Sequence, residues 1–418
     1  MKWLKAVDPV IMLMCTTYLL VDAVNGFLLQ KGLPGGGLSV AFKGLLLVLM
    51  GYQLALYQRL SLVVALALFL LFLLGPSYSL LLTGNSASFG YDLSMALKLI
   101  SPLIATLYFA DLVRRDRLFA MTALHWCMAV GASVIVLNMV LGRLGFGFTA
   151  YLPNDFFDDL NLGTKGFFKA TNEVSALLLV YTAYWLGYSW LWRRRWYPIV
   201  IILALFCSSS MLTKTGNAGV VLLVVLVPLL ASAQYWQTKT TLLASVAVLA
   251  LACVVGIVSF WPTIVAHFPD KLWLSYQQNG LLGLLLSSRD LFVADNLLVA
   301  ERHFSEWHRL FGIGTTGLDL YSSKALAEID PADVFIWFGL PGFAWCLCWF
   351  ALVLRSSVQY FWQQPATMLA ALVPLNGLLL LVSLLAGHVM TSGMLWIPWG
   401  LLNGSLMLWY VEKRHVAG

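Results

Sequence analysis

LSLVVALALFLLFLLGPSYSLLL, residues 60–82, carries no charged side chain. A helix needs about 20 consecutive apolar residues to cross the hydrocarbon core of a bilayer. This stretch therefore reads as a membrane span, and it decides the class of the whole chain. Working outward, comparable runs occur at 8–29, 38–58, 91–113, 118–141, 172–192, 197–213, 216–233, 240–261, 333–355, 366–387 and 393–411, which makes twelve. The runs 197–213 and 216–233 are short and are separated by Thr213-Lys214-Thr215. No A-x-A site follows the first run, which leads into a second one, so it reads as a span and not as a cleaved signal.

Composition agrees. Of 418 residues, 61% are hydrophobic and 11% are charged, against about 25% charged in soluble domains. Mean hydropathy is +0.85. These values exclude soluble globular, disordered, fibrous and disulfide-rich secreted classes. Net charge is +6, which in such a chain reports topology and does not point to nucleic acid. Cys15, Cys127, Cys207, Cys253, Cys346 and Cys348 all fall in apolar runs and read as packing residues without disulfide or metal.

The predicted fold is an all-α polytopic membrane protein of about twelve spans. Residues 1–261 hold spans one to nine, 262–332 form a large partly helical loop, and 333–418 hold spans ten to twelve. With both termini cytoplasmic, thirteen Lys and Arg fall inside and five fall in the outer connections apart from the long loop, as the positive-inside rule requires. The clusters Arg114-Arg115-Asp116-Arg117 and Arg193-Arg194-Arg195 then anchor topology. The two long connections, 142–171 and 262–332, both lie outside, and long connections tend to carry function. No internal repeat supports a two-halved transporter.

Charges collect on the same outer side. Lys43 and Asp92 sit near the ends of their spans, where snorkelling to the interface explains them. Asp22 and Lys98 lie deeper and point to a polar cavity. Lys165 and Lys169 precede the helix that opens at Asn172-Glu173, an arrangement suited to an anion, although Asn172 or Thr171 also suits an N-cap and Glu173 the helix dipole. Lys214 either caps the preceding helix or meets a lipid phosphate. Ser287-Ser288 predicts the start of an amphipathic helix through Trp307. Arg289 at its head needs an anionic partner, either a phosphate or an acid such as Asp290 or Asp333. Glu328, Asp330 and Asp333 crowd the entry to the tenth span. One of them suits an N-cap, and crowding raises at least one pKa toward that of a general base.

Three stretches carry a resemblance. Lys165-Gly166-Phe167-Phe168, with Asn172-Glu173 following, is similar to the segment that opens a mid-chain helix in the O-antigen ligase/polymerase superfamily. Leu310-Phe311-Gly312-Ile313-Gly314 resembles that family's loop motif. Glu328-x-Asp330-x-x-Asp333 with Gly339-x-x-Gly342 resembles the loop exit of its polymerase members. Together they cover roughly residues 160–345.

The resemblance implies an inverting glycosyltransferase on the outer face of the bacterial inner membrane, without metal or other cofactor. The donor would be an oligosaccharide on undecaprenyl pyrophosphate, and a chain-length regulator protein a further partner. Arg289 and Lys214 match the family's pyrophosphate-holding positions, with Lys169 and Lys165 as further cations. Ligase members carry a histidine near the loop exit. This chain has Asp330 and Asp333 there, which favours polymerase. Asp333 is then the expected base, with Glu328 or Asp330 orienting the sugar and Glu173, Asn172, Asp22 and Lys98 contacting substrate. Three other readings stay open: ligation of a glycan onto lipid A-core or protein, transport of a lipid-linked sugar, and a non-catalytic assembly component.

Overall fold

A computed structural model describes residues 7–33, 37–151, 163–232, 236–259, 289–322, 324–364 and 366–408, with isolated residues between 276 and 286. Ser287, Ser288 and both ends of the chain lie outside the described residues.

The described chain is almost wholly helical. The helices are α1 (Val7–Gln30), α2 (Leu38–Tyr57), α3 (Arg59–Phe72), α4 (Leu74–Thr83), α5 (Ser86–Arg115), α6 (Arg117–Arg143), α7 (Thr171–Trp192), α8 (Tyr197–Met211), α9 (Lys214–Ser232), α10 (Trp236–Ser259), α11 (Arg289–His303), α12 (Glu306–Phe311), α13 (Gly314–Leu318), α14 (Asp330–Gln363), α15 (Leu372–Leu385) and α16 (Trp396–Gly404). Two short strands, β1 (Phe148–Thr149) and β2 (Thr164–Gly166), pair antiparallel and tie down the 142–171 connection. Taking α3 with α4, and α15 with the short 3-10 turn before it, nine helices among the described residues are long and apolar enough to cross a membrane.

Several predicted runs fold differently. Residues 60–82 divide at Leu73 into α3 and α4, because Pro76 lacks the N–H that would continue the ladder. The run 197–213 becomes the 15-residue α8. The run 393–411 becomes the 9-residue α16, preceded by ten buried or half-buried non-helical residues, 386–395. The amphipathic helix is described from Arg289, its predicted serine cap lying outside the described residues, and it stops at His303, short of Trp307, with α12 and α13 following as separate short helices.

The outside of the bundle is apolar. Leu13, Val40, Val48, Leu60, Leu70 and Leu81 are all more than half exposed, on a scale that soluble monomers rarely show. Its interior helix is α7, whose apolar window is 78% buried. Some polar groups inside are matched to one another: Asn376 donates to Asn403 at 3.0 Å and accepts from the Trp399 indole at 2.8 Å, linking α15 to α16.

Two glycine motifs of the sequence meet in space. Gly312 and Gly339 both have φ in the left-handed region, at 80° and 62°. A Cβ on Gly312 would lie 2.2 Å from the Trp337 carbonyl oxygen, and one on Gly339 would lie 2.1 Å from that of Leu310. Only glycine permits both the angle and the approach. The α12–α13 turn thus docks on the bend of α14. Asp92 fixes the other side of α13. It is fully buried and accepts from the backbone N–H and hydroxyl of both Thr315 and Thr316, at 2.6–3.0 Å. Asp92 therefore does not snorkel; it is a buried acceptor for four donors that would otherwise go unpaired.

Candidate functional site

Helical periodicity builds a cavity of about 270 Å³ between α1, α2, α5 and the start of α7. Asp22 and Asn25 lie one turn apart on α1, as do Ser39 and Lys43 on α2. Ser94, Lys98 and Ser101 form one stripe of α5. Residues at i, i+3, i+4 and i+7 share a face, so each helix presents its polar residues together. Phe168 and Lys169 close one side, and Glu173 and Gly393 complete the wall.

The charges in this cavity are unequally matched. Lys43 Nζ lies 2.6 Å from Asp22 Oδ2, and the Ser39 hydroxyl donates to Asp22 Oδ1. Lys43 therefore does not snorkel as its position suggested; it neutralises Asp22. Glu173 Oε2 accepts from the Ser392 hydroxyl at 2.7 Å and from the Gly393 N–H at 3.0 Å. Its Oε1 takes no hydrogen bond from a described residue. The ammonium of Lys98 donates only to the Met95 sulfur, at 3.8 Å, and forms no ion pair with a described residue. Its Cε stands 3.5 Å from where a Gly393 Cβ would lie. Lys169 is exposed at the rim. Three lysines against two carboxylates leave the lining one positive charge in excess.

A second charged cluster lies at the loop exit. Arg289 gives Nε and Nη2 to Glu328 Oε2 at 3.2 and 2.9 Å, and Lys324 reaches Glu328 Oε1 at 3.2 Å. The partner of Arg289 is therefore Glu328, not Asp290 or Asp333: the chain folds back so that the loop exit meets the head of α11. Burial opposes ionisation of Glu328, but the hydrogen bonds and charge of Arg289 and the charge of Lys324 outweigh it, and the carboxyl is held below its ordinary value.

Asp330 is buried and accepts from the Ser383 and Thr391 hydroxyls and from the N–H groups of His388, Val389 and Met390, at 2.8–3.3 Å. Asp333, also buried, accepts from the N–H groups of Ala327, Glu328 and Ile329, at 2.8–3.2 Å. The α14 N-cap is Ile329, so neither aspartate is the cap; Asp333 reaches back to 327–329 and Asp330 across to 388–391, each satisfying irregular backbone. Glu328 and His388, on the two strands of chain that Asp330 brings together, have φ of 68° and 61°, a strained conformation for non-glycine residues.

The expected site residues thus divide. Asp22, Lys98, Lys169 and Glu173 share the cavity. Arg289, Glu328, Asp330 and Asp333 form the loop-exit cluster. The segment 386–395 joins the two, held by Asp330 through residues 388–391 and by Glu173 through 392–393. Asn172, Lys165 and Lys214 are outside the cavity lining. Helix α7 starts at Thr171 after Ala170, which gives no side-chain cap; the Thr171 hydroxyl donates instead to the Ala150 carbonyl at 3.0 Å. Burial pushes the half-buried Lys165 amine below its ordinary value. Lys214 is exposed as the first residue of α9, the end of a helix that disfavours a cation.

Sequence reasoning missed Asn25, Ser39, Ser392 and Gly393. The signal for the last two was the polar stretch Thr391-Ser392-Gly393 interrupting an apolar region. Neither the family models nor the curated proteins compared with this chain give a match.

Proposed function

We propose that the chain is a membrane glycosyltransferase that joins undecaprenyl-pyrophosphate-linked oligosaccharide repeats into a surface polysaccharide on the outer face of the bacterial inner membrane. The single observation behind this reading is the cavity's excess of lysine over carboxylate beside a glutamate with one oxygen unengaged. Lys98 and Lys169 take the pyrophosphate, and their charge stabilises what develops on it as the bond to the sugar breaks. The acceptor hydroxyl attacks the donor's anomeric carbon with inversion. Glu173 takes the hydroxyl proton on Oε1 while Ser392 and Gly393 hold Oε2. Undecaprenyl pyrophosphate leaves with the bonding electron pair. This reading moves the base from Asp333 to Glu173, because both oxygens of Asp333 are spent on backbone N–H groups.

The test is elongation by the purified protein in nanodiscs supplied with the lipid-linked repeat. A ladder of products with release of undecaprenyl pyrophosphate supports the reading. Transfer only to lipid A-core would make the protein a ligase, and no transfer to either acceptor would overturn it.

A second reading, transport of a lipid-linked sugar, draws on the buried non-helical segment 386–395 between α15 and α16. Broken helices beside intramembrane charges are a transporter device. Lipid-linked units trapped on the cytoplasmic side of a deletion strain would favour it.

A further inference from the structure

Of the polar side chains in the cavity that the transfer step leaves unused, Asn25 has a buried atom without a hydrogen-bond partner among the described residues. Asn25 is 5% exposed and lines the same wall as Asp22. Its Oδ1 is buried and has no hydrogen-bond partner, and its carboxamide makes no hydrogen bond with any described residue. Exchanging the amide oxygen and nitrogen gives the same result, since neither has such a partner. A buried amide left unmatched is unfavourable. Asn25 differs from the other unmatched buried groups in lining the cavity, where a ligand can supply the match.

The cavity limits what that ligand can be. Drug-sized ligands fill sites of about 300–1,000 Å³, so a cavity of about 270 Å³ takes the groups around the reacting bond and not a whole repeat. Lys98 and Lys169 draw an anion to the same space. A planar carboxamide offers one acceptor and one donor side by side. A vicinal diol offers the complement, one hydroxyl donating to Oδ1 and its neighbour accepting from Nδ2.

Resting on the glycosyl-transfer reading above, we propose that Asn25 is the residue by which the cavity selects a donor whose pyrophosphate carries a sugar, through two adjacent hydroxyls of that sugar. Asn25 separates glycosylated from bare lipid pyrophosphate, so the spent carrier is released and a loaded one is retained.

The test is binding of water-soluble analogues to the full chain in detergent. The probes are farnesyl diphosphate and farnesyl diphosphate bearing glucose, galactose or N-acetylglucosamine. At least one sugar-bearing probe should bind about tenfold tighter than bare farnesyl diphosphate, the effect of two ordinary hydrogen bonds. Asn25→Ala and Asn25→Leu should abolish that preference and leave the affinity for the bare diphosphate unchanged. The ligand-free Tm of Asn25→Leu should hold or rise, because an unmatched polar group has been removed.

A preference retained in both variants overturns the assignment and leaves the transfer reading intact. A Tm that falls in Asn25→Leu shows a structural role and also overturns it. No sugar-bearing probe binding tighter than the bare diphosphate overturns it as well. Failure of every probe, bare diphosphate included, to bind the wild-type protein overturns both the assignment and the anion site beneath it.

Discussion

The loop-exit cluster and the cavity hold similar residues and use them in opposite ways. At the loop exit every carboxylate is spent. Asp330 and Asp333 accept eight hydrogen bonds between them, and Glu328 is shared by Arg289 and Lys324. In the cavity, Asp22 is matched by Lys43 and Ser39. Among the described residues Lys98 has no carboxylate partner, Asn25 has no hydrogen-bond partner, and Glu173 has one oxygen engaged. Satisfied polar groups rigidify a fold; unsatisfied buried ones are costly and persist where they do something else. Clustering of charge along the sequence is therefore a poor guide to chemistry. What distinguishes a site is capacity left over after the fold has been satisfied.

The largest expected break in this contrast is at Asp330. Asp330→Ala strands five donors in the interior, and a single buried donor left unmatched costs about 1–3 kcal/mol. Thermal unfolding in detergent should show a collapsed apparent Tm. Glu173→Gln should do the reverse. The amide oxygen still accepts from Ser392 and Gly393, so the fold holds, while loss of the base lowers the transfer rate about 10²–10⁴-fold, read as elongation per folded protein. Lys98→Met should lower transfer about 10²–10³-fold while its apparent Tm holds or rises, since a cation without a carboxylate partner has been removed.

The smallest effect is at Arg289. Arg289→Ala breaks a partly exposed pair and should cost about 1 kcal/mol. The Glu328 carboxyl is depressed, so its contribution is complete above the ordinary value of 4.5 and fades as pH falls through the lower folded value. Apparent Tm measured against pH should lose that acid-side slope in Glu328→Gln.

Much of the fold was legible. Runs such as 8–29, 38–58 and 91–113 become helices because an apolar segment must satisfy its backbone internally. The placing of Asp22 and Lys98 around one polar space was legible too, since intramembrane charge is costly and needs company; Glu173 read only as a first-turn acid or a substrate contact. Three things were hidden. The split at Leu73 depends on Pro76 within an otherwise unbroken run. The buried segment 386–395 reads as an ordinary short connection until the two carboxylates that satisfy it, Asp330 and Glu173, are seen to approach from 58 and 219 residues away. Snorkelling was the local explanation for Lys43 and Asp92. Their true partners, Asp22 on another helix and Thr315 and Thr316 on α13, are fixed by packing and not by spacing along the chain.

The most direct test replaces the native protein with Glu173→Gln, Lys98→Met or Asp333→Asn in its host and resolves surface and lipid-linked glycans on a gel, at matched levels of folded protein. The account predicts that the two cavity variants lose the long ladder and leave single repeats on the normal acceptor, whereas Asp333→Asn keeps its ladder. A full-length ladder from both cavity variants, with the ladder lost in Asp333→Asn, would contradict it and return the chemistry to the loop exit.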